Sequence, residues 1–114
     1  MMKMLSTSRA AALLFALSAL GASAQIVIGQ SADLSGPVAA SVKETIMGSQ
    51  LVIDQVNASG GINGEQIEVI RLDDGLDAKR SLENTRILIE DKKVLALLLN
   101  RGTPNTLAVI PLLD

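Results

Sequence analysis

Cysteine and histidine are both missing from the 114 residues, and the two absences remove most of the common reactive chemistry. Without Cys there is no disulfide, no thiolate metal ligand and no lipid-attachable thiol behind a leader sequence. Without His, neither an ordinary zinc site nor a Ser-His-Asp triad can be assembled. Aromatic residues are reduced to Phe15, so everything after the first two dozen residues lacks a ring on which a base, a sugar or a quaternary amine could stack. Excess positive charge is missing too. The whole chain carries a formal −2, and setting aside Lys3 and Arg9 leaves eight basic residues against twelve acidic ones, a balance that argues against a nucleic-acid partner.

What is present begins with a leader. Lys3 and Arg9 precede an apolar run from Ala10 to Leu20, which ends in Gly21-Ala22-Ser23-Ala24. A basic entry, a short apolar middle and small residues before the cut describe a signal peptide over residues 1–24, cleaved between Ala24 and Gln25. A membrane-spanning helix needs about 20 apolar residues, and this run is too short. The mature chain, residues 25–114, is therefore expected to be exported, soluble, free of a lipid anchor and not inserted in the membrane.

The mature chain alternates between two kinds of segment. Ile26-Val27-Ile28 is a short apolar run of the sort found in a strand buried on both faces of a parallel sheet, and Ser35-Gly36-Pro37 turns the chain after it. Ser41 and Glu44 have capping-box spacing. From Val42, the positions Ile46, Ser49, Ile53 and Val56 recur at intervals of four and three, which predicts a helix of about four turns stopped by Gly60 or Gly61. Gln66 to Leu72 reads as a second strand. Asp77 is placed to cap a second helix whose inward stripe is Ala78, Leu82, Thr85, Leu88 and Ile89, with Lys79, Arg80, Glu83 and Glu90 outside. Val94 to Leu99 is unbroken apolar sequence, expected as a third strand at the centre of a sheet. Thr103 and Pro104 then open a third helix as cap and first residue.

This order predicts an α/β fold of three βαβ-type units, a parallel sheet with right-handed crossovers and helices on both faces. Ligands of such sheets collect where strands end and helices begin. The loops in question are Ser31–Ala40, Asp73–Asp77 and Asn100–Asn105. In the third, Gly102 admits a close backbone approach and Thr103 offers a hydroxyl, although the residues alone fit an ordinary glycine connection with a threonine cap. Asp73-Asp74 could suggest a magnesium pair, but at a strand end such a pair reads more readily as a cap or turn. Gly60-Gly61-Ile62-Asn63-Gly64 follows a helix and precedes a strand, the reverse of a dinucleotide fingerprint. Nothing supplies a nucleophile with a base, so no enzyme is expected, no metal or other cofactor is called for, and an exported α/β enzyme ranks last.

Five segments in register carry a resemblance: LSGPVA (34–39), VNASGGINGEQIEV (56–69), LDDGLDA (72–78), ENTRILIED (83–91) and GTPNT (102–106). Together they resemble the start of the leucine-binding-type (type I) periplasmic solute-binding proteins of ABC transporters. The resemblance implies a periplasmic clamp that closes on a small solute, commonly a branched-chain amino acid, and then docks on the membrane subunits of the transporter. It makes residues 25–114 the amino-terminal part of the first lobe. Ser35 and Ser41 would then face the solute, with Gly102 and Thr103 at its carboxylate. Ser41 departs from the bulky aromatic that amino-acid binders of the family can carry near that place. A single incomplete lobe offers an open shelf, so micromolar amino-acid binding by the chain alone is not expected, and the apolar third strand expects a neighbour on its open side. A fragment of a sensory ligand-binding domain of the same ancestry is the alternative.

Overall fold

The computed structural model describes residues 24–98 and 101–113, so the expected leader, apart from Ala24, lies outside the described residues, as do Leu99 of the expected third strand and Asn100 of the loop after it. Three strands, β1 (Gln25–Ala32), β2 (Gln66–Asp73) and β3 (Ala96–Leu97), alternate with three helices, α1 (Ala39–Ala58), α2 (Ala78–Glu90) and α3 (Thr103–Val109), and a 3-10 turn follows at Ile110–Leu112. The sheet order is β2-β1-β3 and both pairings are parallel, with Gln25 opposite Gln66 through Ala32 opposite Asp73, and Ile28 opposite Ala96.

The chain moves one way from β1 to β2, then crosses back over β1 to β3. Two right-handed crossovers of opposite direction put α1 and α2 on opposite faces. Adjacent side chains of β1 register this. At Gly29 an added Cβ would sit 3.1 Å from Leu88 Cδ1, so α2 lies close on that face. Gln30 points the other way, where its Oε1 accepts from Arg71 Nε at 3.1 Å and Arg71 in turn donates to Gln50 Oε1 of α1 at 2.8 Å.

The expected stripe of α1 holds, with Val42 and Ile53 buried and Ile46, Ser49 and Val56 half-buried. Its start differs from the capping-box reading. The helix begins at Ala39 with Val38 as N-cap, and Ser41, already inside the first turn, donates its hydroxyl back to the Val38 carbonyl at 3.1 Å. Asp33 supersedes the local motif, because its carboxylate accepts from the amides of Gly36 and Val38 before the helix starts. At the other end the Gly61 amide donates to the Val56 carbonyl at 2.9 Å, with φ at 77°, the left-handed stop that glycine adopts without strain. Asn57 fastens this end to β2: its side-chain amide donates to the Ile67 carbonyl at 2.9 Å and accepts from the Ile67 amide at 2.8 Å. The glycine-rich segment beyond folds on itself through paired hydrogen bonds between Ile62 and Glu65.

Asp77 caps α2 as expected, accepting from the Arg80 amide at 2.8 Å. Of the expected inward stripe of α2, Thr85 and Leu88 are buried and Ala78, Leu82 and Ile89 half-buried, and Ser81, which the stripe did not include, is buried with them. A helix drawn close over a glycine seats small side chains in the seam. β3 also departs from expectation. It has two ladder residues, extended by the Leu95 amide to the Val27 carbonyl and the Leu98 amide to the Gly29 carbonyl. Among the described residues β3 is an edge and β1 the centre, and Leu95 is 76% exposed. At α3, Gly102 is the N-cap and Thr103 and Pro104 are the first two helical residues, so the cap falls one position earlier than the predicted Thr103.

Candidate functional site at the carboxyl rim of the sheet

Because all three strands run in parallel, the segments that follow them emerge on one rim. Polar residues are buried there to an unusual degree. Gln30, Ser31, Asp33 and Asp74 are each no more than 2% exposed, and a buried polar group is tolerated when it is hydrogen-bonded.

Two aspartates organise the first two loops. Asp33 holds the turn after β1 through the amides of Gly36 and Val38. Asp73, at the end of β2, accepts from the Leu34 amide at 2.8 Å, the Ser35 hydroxyl at 2.5 Å and the Gly75 amide at 3.1 Å. Arg80 lies 3.6 Å from the same carboxylate and donates to the Asp73 carbonyl at 3.0 Å. The Ser35 hydroxyl bond first, then the Leu34 amide, hold the Asp73 carboxyl down at about 2 from an ordinary 3.8; partial burial opposes them, and Gly75 and Arg80 add to them. Next to it, Asp74 accepts from the Ser31 hydroxyl at 2.8 Å and from the Leu76 amide at 2.9 Å. Asn84 of α2 donates to Ser31 at 3.3 Å and to the Asp73 carbonyl at 3.1 Å. The acidic pair is thus a loop-holding device, with both carboxylates committed to backbone amides and hydroxyls. Among the described residues no group of three or more acidic side chains has the spacing to hold a metal ion.

The third loop joins through two contacts. Arg101 donates NH1 to the Ser41 hydroxyl at 2.9 Å, linking it to the first turn of α1. Gly102, at φ 91°, sits against the second loop: a Cβ there would lie 3.0 Å from Asn105 Oδ1 and 3.3 Å from Leu76 Cδ1. The positive φ favours glycine here, and a side chain would also have to displace the Asn105 or Leu76 side chain slightly. Asn105 is 2% exposed, and its side-chain nitrogen has no protein partner among the described residues.

All four residues singled out from the sequence lie along this rim. Ser41 and the Gly102–Thr103 segment are brought together through Arg101. Ser35 is tied instead to the end of β2, its hydroxyl committed to Asp73. Thr103 is exposed and makes no capping bond. Sequence reasoning passed over Asp33, Ser31, Asn84 and Arg101. Only Asp33 had a local signal, since an aspartate two to five residues ahead of a Ser-Gly-Pro turn can bond the turn's own amides. The other three act through contacts 11 to 60 residues away in sequence.

A parallel sheet whose loops gather at one rim, with helices beginning there, defines a ligand-crevice α/β domain. The family model described as "Periplasmic binding protein" matches residues 25–114. Among curated proteins the chain is similar to a "Leu/Ile/Val-binding protein homolog 7" of Brucella abortus, 34% identical over 73 residues, covering 64% of this chain and 18% of that one. It is also similar to an "Amino acid binding protein" of Pseudomonas aeruginosa, 30% identical over 74 residues and 20% of that protein. Among solved structures, the branched-chain amino acid transporter substrate binding protein LivJ of Streptococcus pneumoniae, in complex with isoleucine, superposes with a TM-score of 0.71 at 33% identity, over 76% of this chain and 25% of that one. An extracellular ligand-binding receptor from Verminephrobacter eiseniae gives 0.75 at 31% identity, over 80% and 26%. The chain belongs to the type I periplasmic binding protein family. It spans about a fifth to a quarter of the length of these relatives.

Proposed function

We propose that residues 25–114 form the amino-terminal part of the first ligand-binding lobe of an exported, periplasmic solute-binding protein, one that serves an ABC transporter for branched-chain amino acids or related small organic solutes. The observation that carries this reading is the gathering of three strand-end loops on one rim, with the Arg101–Ser41 bond joining the segment after β3 to the start of α1 and Gly102 packed against Leu76 of the loop after β2. In this reading Ser35 and Ser41 stand on the solute side of the first loop, and Gly102 and Thr103 face the solute carboxylate. The family binds solutes, and no catalytic role is assigned.

Capture of a small solute requires most of its surface to be enclosed, and this rim is a shelf. The chain by itself is therefore expected to give no micromolar heat signal with leucine, isoleucine, valine or aromatic amino acids in titration calorimetry. The positive test is a chimera in which residues 25–113 replace the equivalent segment of the pneumococcal isoleucine-binding relative. Retained isoleucine binding supports the assignment of the rim; a folded chimera with no affinity for any of these amino acids overturns it. Release of the chain by osmotic shock with Gln25 as first residue tests export. The likeness to the Verminephrobacter eiseniae extracellular ligand-binding receptor supports a sensory role as the second reading, distinguished by an in-frame apolar span of about 20 residues encoded downstream.

A further inference from the structure

The outward face of α1 carries an ordered stripe that no described element covers. Ala40, Lys43, Met47, Leu51, Asp54 and Ala58 succeed one another at spacings of three and four, so they share one side of the helix, and every one of them is exposed. Met47 is 67% and Leu51 72% exposed, unusual for large apolar side chains lying in a row. A shallow depression lined by Met47, Gln50, Leu51 and Asp54 lies along the stripe, on the helix side and not at the rim.

The order of residue types in the stripe is self-complementary when reversed. Turned end for end about the midpoint between Met47 and Leu51, Ala40 comes opposite Ala58, Met47 opposite Leu51 and Lys43 opposite Asp54. A parallel pairing would stack Lys43 on Lys43 and Asp54 on Asp54. The antiparallel one matches opposite charges at both ends and apolar side chains in the middle, while the terminal alanines leave room for the 8–10 Å axial separation of packed helices. Asp54 is held in position for such a contact by Gln50, which donates to its Oδ1 at 2.7 Å and is itself held by Arg71 from the sheet at 2.8 Å.

We propose that α1 is an isologous docking surface for a second copy of this chain, joined antiparallel across a two-fold axis passing between Met47 and Leu51, with Met47 on the partner's Leu51 and Lys43 paired with the partner's Asp54. Within one helix Lys43 and Asp54 are about 16 Å apart along the axis, so they form no pair inside a single chain. That separation makes a charge swap diagnostic.

The test is sedimentation of the purified full chain over a range of concentrations, with circular-dichroism melts to show that each variant is folded. The parent chain is expected to pass from monomer to dimer as concentration rises. Leu51→Asp abolishes dimer formation. Lys43→Asp and Asp54→Lys each weaken it by about tenfold, since two symmetric pairs turn repulsive at once, and the double variant restores it to near the parent level. A monomer at every concentration overturns the proposal and leaves the stripe to a different partner. Association undiminished by Leu51→Asp also overturns it, and locates self-association at the open β3 edge. A double variant as weak as the singles overturns the antiparallel arrangement.

Discussion

Arg101 and Ser41, 60 residues apart in sequence, meet at 2.9 Å and close the rim between the segment after β3 and the first turn of α1. Both are exposed, so the bond fixes geometry more than it stabilises. Arg101→Ala, Ser41→Ala and the double variant are expected to give a coupling below about 1 kcal/mol in a denaturant cycle. A coupling of several kcal/mol would show that the contact is drier and stronger than its exposure implies.

Asp33 is different, because it is 1% exposed and its carboxylate is committed to two backbone amides. Asp33→Ala leaves those donors without an acceptor and should destabilise the chain by about 2 to 3 kcal/mol. Asp33→Asn keeps the shape and one acceptor oxygen, so a smaller loss is expected from urea midpoints. Equal losses in the two variants would argue that packing, not the amide bonds, sets the cost.

Asp73 makes a pH prediction. Its carboxyl is held at about 2 in the folded chain against an ordinary 3.8. Between those values the unfolded chain binds more protons, so stability rises with pH there. The contribution is complete above about pH 4 and is lost as pH falls through about 2. Urea midpoints followed across this window should fall more steeply for the parent than for Asp73→Asn. Parallel curves would remove Asp73 from the acid response.

The approach of α2 to the sheet rests on Gly29 and Leu88, the latter 0% exposed. Gly29→Ala should destabilise by about 1 to 3 kcal/mol through overpacking, and Leu88→Ala by about 2 to 5 through a cavity. The new methyl would occupy space that Leu88→Ala vacates, so the double variant should lose less than the sum of the two. Strict additivity in thermal melts would mean the two sites do not share that space.

Local rules were legible in the sequence where one short segment supplies both partners. The Asp77 cap, the Val42–Ile53 stripe, the glycine stop after α1 and the strand character of β1 and β2 each depend on residues within a few positions of one another. The capping box at Ser41 failed although its spacing was right, because a carboxylate eight residues earlier reached the loop first and started the helix at Ala39. The burial of Ser81 on α2 was not legible, whereas Thr85 and Leu88 were, and the close approach of Leu88 to Gly29 of β1 is a relation between two elements.

The sequence by itself determined the alternation of strand and helix, the acidic and nearly ring-free surface, and the five segments whose likeness pointed to the family, since each is a matter of composition or short-range pattern. Only the tertiary structure decided that β1 lies between β2 and β3, that Asp73 serves the loop after β1 as well as its own, and that Arg101 meets Ser41. Those relations follow from strand order and register, which bring together residues 38 to 60 positions apart. No short-range preference of the backbone specifies which distant segments become neighbours; the shared burial of the sheet's two faces does.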